Sequence, residues 1–143
     1  MNSKQIAIQS VDAMMKNDAF SKWMRIKILN VKPGYCKLKA TITKQMLNGF
    51  YICHGGILFS IADSALAFAS NSHGIISVSI SSSFNIPNSA KKGDVVTAVA
   101  KEISKSNKIG HYNIILTNQK KVNVGIFKGT VYRTSKKIIQ NEK

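Results

Sequence analysis

Acidic side chains are scarce in this chain: six aspartates and glutamates stand against 21 lysines and arginines in 143 residues, a formal charge of +15. Such an excess fits a nucleic acid, an anionic membrane or a phosphorylated ligand. The lysines are nevertheless spread along the chain, with only short pairs at Lys91-Lys92, Lys120-Lys121 and Lys136-Lys137. No helix-turn-helix or zinc-finger pattern accompanies them, and Phe20, Trp23, Phe59, Phe68 and Phe84 read as core, so no nucleic-acid partner is expected. Because Lys, Ile, Asn and Ser are all abundant, compositional bias explains the charge as readily as a polyanionic ligand does.

Cysteine is also scarce. Cys36 and Cys53 cannot build a disulfide framework and supply too few ligands for a zinc site, so reduced, partly buried thiols and no metal are expected. Long apolar runs are missing too. The longest, 57–69, is broken by Ser60, Asp63 and Ser64 and falls short of the roughly 18 residues a spanning helix needs, so no membrane partner is expected. The first residues, MNSKQIAIQSVDAMMKND, lack the apolar core of a signal peptide, which places the protein in the cytoplasm. No internal repeat is visible, and the length suits one domain, 1–143, able to bury a real core.

What is present is clear periodicity. Ile6, Ala7, Val11, Met14 and Met15 recur at helical spacing, predicting an amphipathic helix over about 3–17. Met24, Ile26 and Ile28 alternate with Arg25 and Lys27; after a Pro33-Gly34 turn, Cys36, Leu38, Ala40 and Ile42 alternate with polar residues, which reads as a hairpin with one wet face. An irregular segment, 44–53, precedes a helix from about His54 to Asn71 that is apolar nearly all round and stops at Gly74. Four strand-like segments follow, 75–86, 94–103, 111–118 and 122–133, with a polar tail after 135. One buried helix among antiparallel strands implies an α+β fold, a curved sheet wrapped around a long central helix.

Within that helix Asp63 has no other lysine, arginine or acid for company between Lys44 and Lys91. A carboxylate there is costly unless it is paired with Ser60, Ser64 or a distant lysine, and desolvation would raise its pKa toward the range of a useful base. Just upstream, His54-Gly55-Gly56 offers free N–H groups at the positive end of the helix dipole, donors suited to an oxyanion, although two glycines also simply permit a tight turn. Asp63 follows Gly55 by eight residues, about 12 Å along a helix. Two groups so far apart on one helix serve one reaction only if they come from different subunits.

The stretch MLNGFYICHGGILFSIADSALAFASNSHG resembles the core motif of hotdog-fold acyl-CoA thioesterases of the phenylacetic-acid-degradation type, through Asn48, His54-Gly55-Gly56, Asp63 and the 71–74 exit. Strand order and the Gly93-Asp94 strand start extend the similarity over about 15–134. The chain departs from the pattern at Asn88-Ser89, where a proline is usual, with Pro87 slightly earlier. The resemblance implies a homodimer assembling to a homotetramer, with active sites at the dimer interface and an acyl-CoA substrate. It implies that the Gly55 N–H polarises the thioester carbonyl, that Asp63 from the opposite subunit is general base or nucleophile, that Asn48 orients water or the carboxylate, and that His54 supports the carbonyl side. A hydroxyl after the helix assists in relatives; Ser77, Ser79, Ser81 and Ser83 alternate toward one face, and Ser79 is the choice taken here. Gly56 and the loop lysines Lys91, Lys105 and Lys108 are the candidates for holding substrate, each lysine being as easily a solvated surface group. No cofactor is implied, because coenzyme A is part of the substrate. The rival readings are a non-catalytic acyl-CoA-binding module, a dehydratase of the same fold, and, weakest, a Cys53/His54 hydrolase, whose adjacent side chains would point apart.

Overall fold

The structure, a computed structural model, describes residues 1–140. Two helices open the chain. Helix α1, Ser3–Asn17, starts at a capping box between Asn2 and Gln5 and buries Ala7, Ser10 and Val11. Helix α2, Ala19–Trp23, is a single short turn capped by Asp18, and Arg25 then takes a left-handed backbone conformation at φ 54°. The strand expected from Met24 therefore begins later, at Lys27. The alternation of Met24 and Ile26 belongs to a helix cap and a bend whose side chains both turn inward.

Six strands follow: β1 (Lys27–Lys32), β2 (Tyr35–Thr41), β3 (Ile75–Asn85), β4 (Val95–Lys105), β5 (Ile109–Thr117) and β6 (Asn123–Lys137). They form one antiparallel sheet in the order β1-β2-β4-β5-β6-β3. Strand β6 continues to Lys137, past the point where a polar tail was expected, because β3 pairs with it throughout, from Ile75 opposite Lys137 to Asn85 opposite Ile126. Between β2 and β3 lies α3, Gly55–Asn71, cradled by β2, β3, β4, β5 and β6.

Period-2 alternation supplies the floor of that cradle. Leu38 and Ala40 of β2, Val96, Ala98 and Ala100 of β4, Ile114 and Leu116 of β5, and Phe127 and Val131 of β6 are all buried beneath Leu58, Ile61, Ala62, Ala65, Leu66, Phe68 and Ala69 of α3. Gly129 of β6 makes room for the helix; a β-carbon there would lie 2.7 Å from Leu66 Cδ2. This is the α+β hotdog arrangement, a curved sheet around one helix. The helix is not enclosed on every side, however. Gly56 is exposed, and Ser60, Asp63 and Ala67 are half-buried. Spaced by four, three and four residues, these form one stripe along α3 that this chain's own sheet does not cover.

Gly74 ends the helical segment at φ 82°, and its carbonyl accepts from Ile138 N, tying the exit of α3 to the end of β6. A β-carbon at Gly74 would meet Ile6 Cγ2 of α1 at 2.8 Å. Gly74→Ala should therefore cost about 1–2 kcal/mol from the left-handed backbone alone, with the clash against α1 adding to it. Equilibrium urea unfolding checks this; an unchanged midpoint would contradict it.

Candidate active site

His54 caps α3. Its Nδ1 accepts the Gly56 N–H at 2.9 Å, while the His54 carbonyl takes the Ile57 N–H at 2.9 Å. An accepting Nδ1 places the ring proton on Nε2, which leaves that N–H facing outward from an exposed side chain. Of the first helical N–H groups, only that of Gly55 has no acceptor among the described residues. A β-carbon at Gly55 would lie 3.1 Å from Ile86 Cδ1, so the tip of that side chain would have to give by a few tenths of an ångström. Local sequence thus makes one unpaired donor at the positive end of a 17-residue helix.

Asn48 closes the loop leading into that cap. Its Oδ1 accepts from Phe50 N at 2.9 Å and from Ile52 N at 3.4 Å, and its backbone N–H donates to Ile52 O at 2.8 Å. The loop is clamped by the Leu47–Cys53 bridge and by His54 N donating to Met46 O. With its oxygen committed, only the Asn48 amide NH2 remains to address a ligand. The side-chain oxygen also explains why Tyr51 can hold φ 62° in so tight a turn.

Asp63 faces β3. With Leu66, Ala67, Ser70, Ser77, Val78, Ser79 and Val131 it lines a small cavity of about 170 Å³. Burial raises its carboxyl above the ordinary value, and the charge of Asp18 pushes in the same direction. Neither serine that could have paired with it does so. Ser60 Oγ donates to Gly56 O at 2.7 Å, and Ser64 Oγ shares a hydrogen bond with Ser21 Oγ at 2.9 Å. Ser21 Oγ in turn donates to Asp18 Oδ2 at 2.7 Å. Among the described residues, no side chain or backbone group hydrogen-bonds to Asp63, and no lysine or arginine forms an ion pair with it. Asp18 and Ser21 were not singled out from the sequence. The signal was there, since an Asp three residues ahead of a Ser is helix-cap spacing.

The serines of β3 do not share one face. Ser79 pairs with Val131 and Ser81 with Thr130, so Ile80 is an extra residue that shifts the register. Ser77 and Ser79 face the helix and Asp63; beyond the bulge that face passes to Ser82 and Phe84, the latter packed on Phe59 and Phe127. Ser77 Oγ already donates to Ile75 O at 3.2 Å, whereas Ser79 carries no such bond.

The lysines separate. Lys91 adjoins Ala90, whose carbonyl accepts Cys53 N, and so lies at the Gly55 end of the helix. Lys105 ends β4 and Lys108 lies in the following turn, at the far end of an 11-residue strand on the order of 35 Å long. One chain cannot bring all three to one ligand head. Among the described residues, no group of three or more His, Cys, Asp and Glu side chains could hold a metal ion, and no helix is long and apolar enough to cross a membrane. Gly55 and Asp63 stand on the same helix, two turns apart, so a single chain does not bring the donor and the carboxylate together.

Both thiols are held protonated. Burial pushes Cys36 up to about 12; burial and the nearby Asp94 push Cys53 up to about 11. A thiol held protonated at neutral pH is a poor nucleophile, which speaks against that role for Cys53. Native protein at pH 7 to 8 should react slowly with a thiol reagent and count two thiols promptly once denatured. Rapid labelling of the folded protein would contradict these environments.

The sequence and the fold both have relatives among known proteins. The thioesterase superfamily profile matches residues 50–124, which include His54, Gly55 and Asp63. The chain is 38% identical to the acyl-coenzyme A thioesterase PaaI of Escherichia coli over 127 residues, 89% of this chain and 91% of that protein. The structure of the E. coli PaaI protein from the phenylacetic acid degradation operon superposes with a TM-score of 0.93 at 35% identity, covering 95% of this chain and 99% of that one. A structure of a mutant of the Thermus thermophilus phenylacetic acid degradation protein PaaI superposes at 0.79, with 30% identity over 82% of this chain and 100% of the other. By sequence and by fold, this chain belongs to the thioesterase superfamily.

Proposed function

We infer that the protein is an acyl-CoA thioesterase, hydrolysing an acyl-CoA to the free acid and coenzyme A, and that its active site forms between two copies of the chain. One observation carries the shared site: the unpaired Gly55 N–H and the unpaired Asp63 carboxylate lie two turns apart on one helix, the first at its N-terminus and the second in the cavity against β3. Strand β3 supports pairing of two copies. It ends the sheet, pairs only with β6, and exposes Ile76, Val78 and Ile80, the last at 57%.

In this reading the thioester carbonyl oxygen accepts the Gly55 N–H, with the His54 Nε2–H and the Asn48 NH2 nearby. The partner subunit's Asp63 takes a proton from water, whose oxygen attacks the carbonyl carbon. The resulting oxyanion is held at the helix N-terminus. Collapse breaks the carbon–sulfur bond, and the departing coenzyme A thiolate recovers the proton from Asp63. A desolvated carboxyl, raised above its ordinary value, is a stronger base for the first step. Ser79 is placed to hold the water or the acyl group in the cavity. Lys91 from one chain and Lys105 and Lys108 from the other would attract the phosphates. Aryl-acetyl and medium-chain acyl groups are the proposed substrates, and the cytoplasm is the proposed location.

Asp63→Asn should lose about 10²–10⁴ in kcat with little change in KM, measured by thiol release. Because folding raises the pKa of Asp63, ionisation opposes folding above the carboxylate range, so this variant should melt no lower than wild type at pH 7. Any gain in Tm should vanish in acid, where the wild-type carboxyl is protonated. Near-normal kcat with a lowered Tm would make Asp63 a structural residue instead.

A shared site makes a second demand. Gly55→Pro removes the N–H at the first helical position, where proline is tolerated. Mixing it with Asp63→Ala should restore part of the lost activity, since each mixed dimer keeps one intact site. No recovery after verified subunit exchange would place both groups in separate reactions.

A further inference from the structure

The hydroxyl chain behind Asp63 has a fixed direction. Ser21 has one hydroxyl proton and gives it to Asp18 Oδ2, so the bond between Ser21 Oγ and Ser64 Oγ must be donated by Ser64. Both serines are buried, Ser21 at 1% exposure, and the chain runs from Ser64 through Ser21 to the half-buried Asp18 carboxylate. Two things follow at the neighbouring residue of α3. The Ser64 hydroxyl, the nearest donor in sequence, is turned away from Asp63. A second carboxylate is also fixed near Asp63 by the short helix it caps, through Ser21 N donating to Asp18 Oδ1 at 2.9 Å.

We propose that Asp18 is a positioning residue for Asp63, acting through the Ser21–Ser64 hydroxyl pair that locks α2 onto α3. The proposal rests on the thioesterase reading of Asp63 for its effect on turnover, but not for its effect on the carboxyl itself. By withholding the Ser64 proton and placing a like charge nearby, α2 keeps Asp63 basic and free of hydrogen bonds until substrate and water arrive. Among the described residues, the other elements lining the Asp63 cavity bring no titratable or charged group: β3 presents Ser77, Val78 and Ser79, and β6 presents Val131. Beyond this chain, the proposed dimer sets the partner subunit's His54 nearby.

Two substitutions act on the two ends of this chain. Asp18→Asn keeps the helix cap through its single side-chain oxygen, removes the charge and puts an NH2 donor where Oδ2 accepted, so the Ser21 hydroxyl no longer gives its proton to residue 18. Ser21→Ala breaks the tether and frees Ser64 to donate to Asp63. In protein carrying ¹³C-labelled aspartate carboxyls, with the Asp63 signal identified by its loss in Asp63→Asn, both variants should titrate Asp63 at lower pH than wild type. The acid limb of kcat/KM for acyl-CoA hydrolysis should move down with it. Ser21→Ala should also lower kcat by about tenfold or more with KM little changed, and Ser64→Ala should reproduce that loss. A role confined to holding α2 in place would lower Tm without moving the titration. An Asp63 midpoint unchanged in both Asp18→Asn and Ser21→Ala overturns the proposal, as does a kcat loss no larger than the loss of folded protein. Should Asp63→Asn keep its turnover, the thioesterase mechanism fails, while the carboxyl titration still decides the role of Asp18.

Discussion

The packing of α3 into the curved sheet is the constraint on which everything else depends. An apolar 17-residue helix is stable in water only when its surface is covered, and five strands together with α1 and α2 cover all of it but one stripe. Gly129 thins the sheet to admit Leu66, and the hydrophobic floor contributed by β2, β4, β5 and β6 sets the rotation of the helix. That rotation leaves Gly56, Ser60, Asp63 and Ala67 outward. The same burial that stabilises the fold also makes the Asp63 carboxyl hard to ionise.

Polar groups around this helix are divided between structure and chemistry by hydrogen-bond arithmetic. Gly56 N–H, Ser60, Ser64, Ser77 and the oxygen of Asn48 are all spent on neighbouring groups. Left over are the Gly55 N–H, the Asp63 carboxylate, the Asn48 amide NH2 and the Ser79 hydroxyl. A second polar cluster lies at the exit of α3. Burial would raise Glu102, but its hydrogen bonds to His73 and Tyr112, with the charges of His73 and Lys105, hold it below the ordinary carboxylate value; burial, and then the Glu102 carboxylate, raise the Tyr112 hydroxyl. That trio stitches β4 and β5 to the exit of α3.

Much of this was legible from the residues alone. Period-2 runs located β2, β4 and β5, and a helix apolar nearly all round, carrying one acid, marked both the core and the candidate site. What stayed hidden depends on backbone geometry that side-chain patterning does not encode. Helix α2 has five residues, too few for a periodic signal, and the left-handed Arg25 after it displaced the start of β1. The bulge at Ile80 switched faces in the middle of β3, so four alternating serines that read as one row are two. The separation of Lys91 from Lys105 and Lys108 required the strand order, which local patterns cannot supply.

The unpaired edge of β3 puts the large positive charge in a different light. A long strand edge with exposed isoleucines and valine would adhere to almost any extended chain it met. Two molecules carrying +15 each repel on approach, and only a contact that satisfies many backbone groups at once can overcome that repulsion. In the proposed dimer the 11 residues of β3 would meet that condition, where a chance encounter with part of the edge would not. The charge would then filter assembly, rejecting poor matches while the strand selects its own kind.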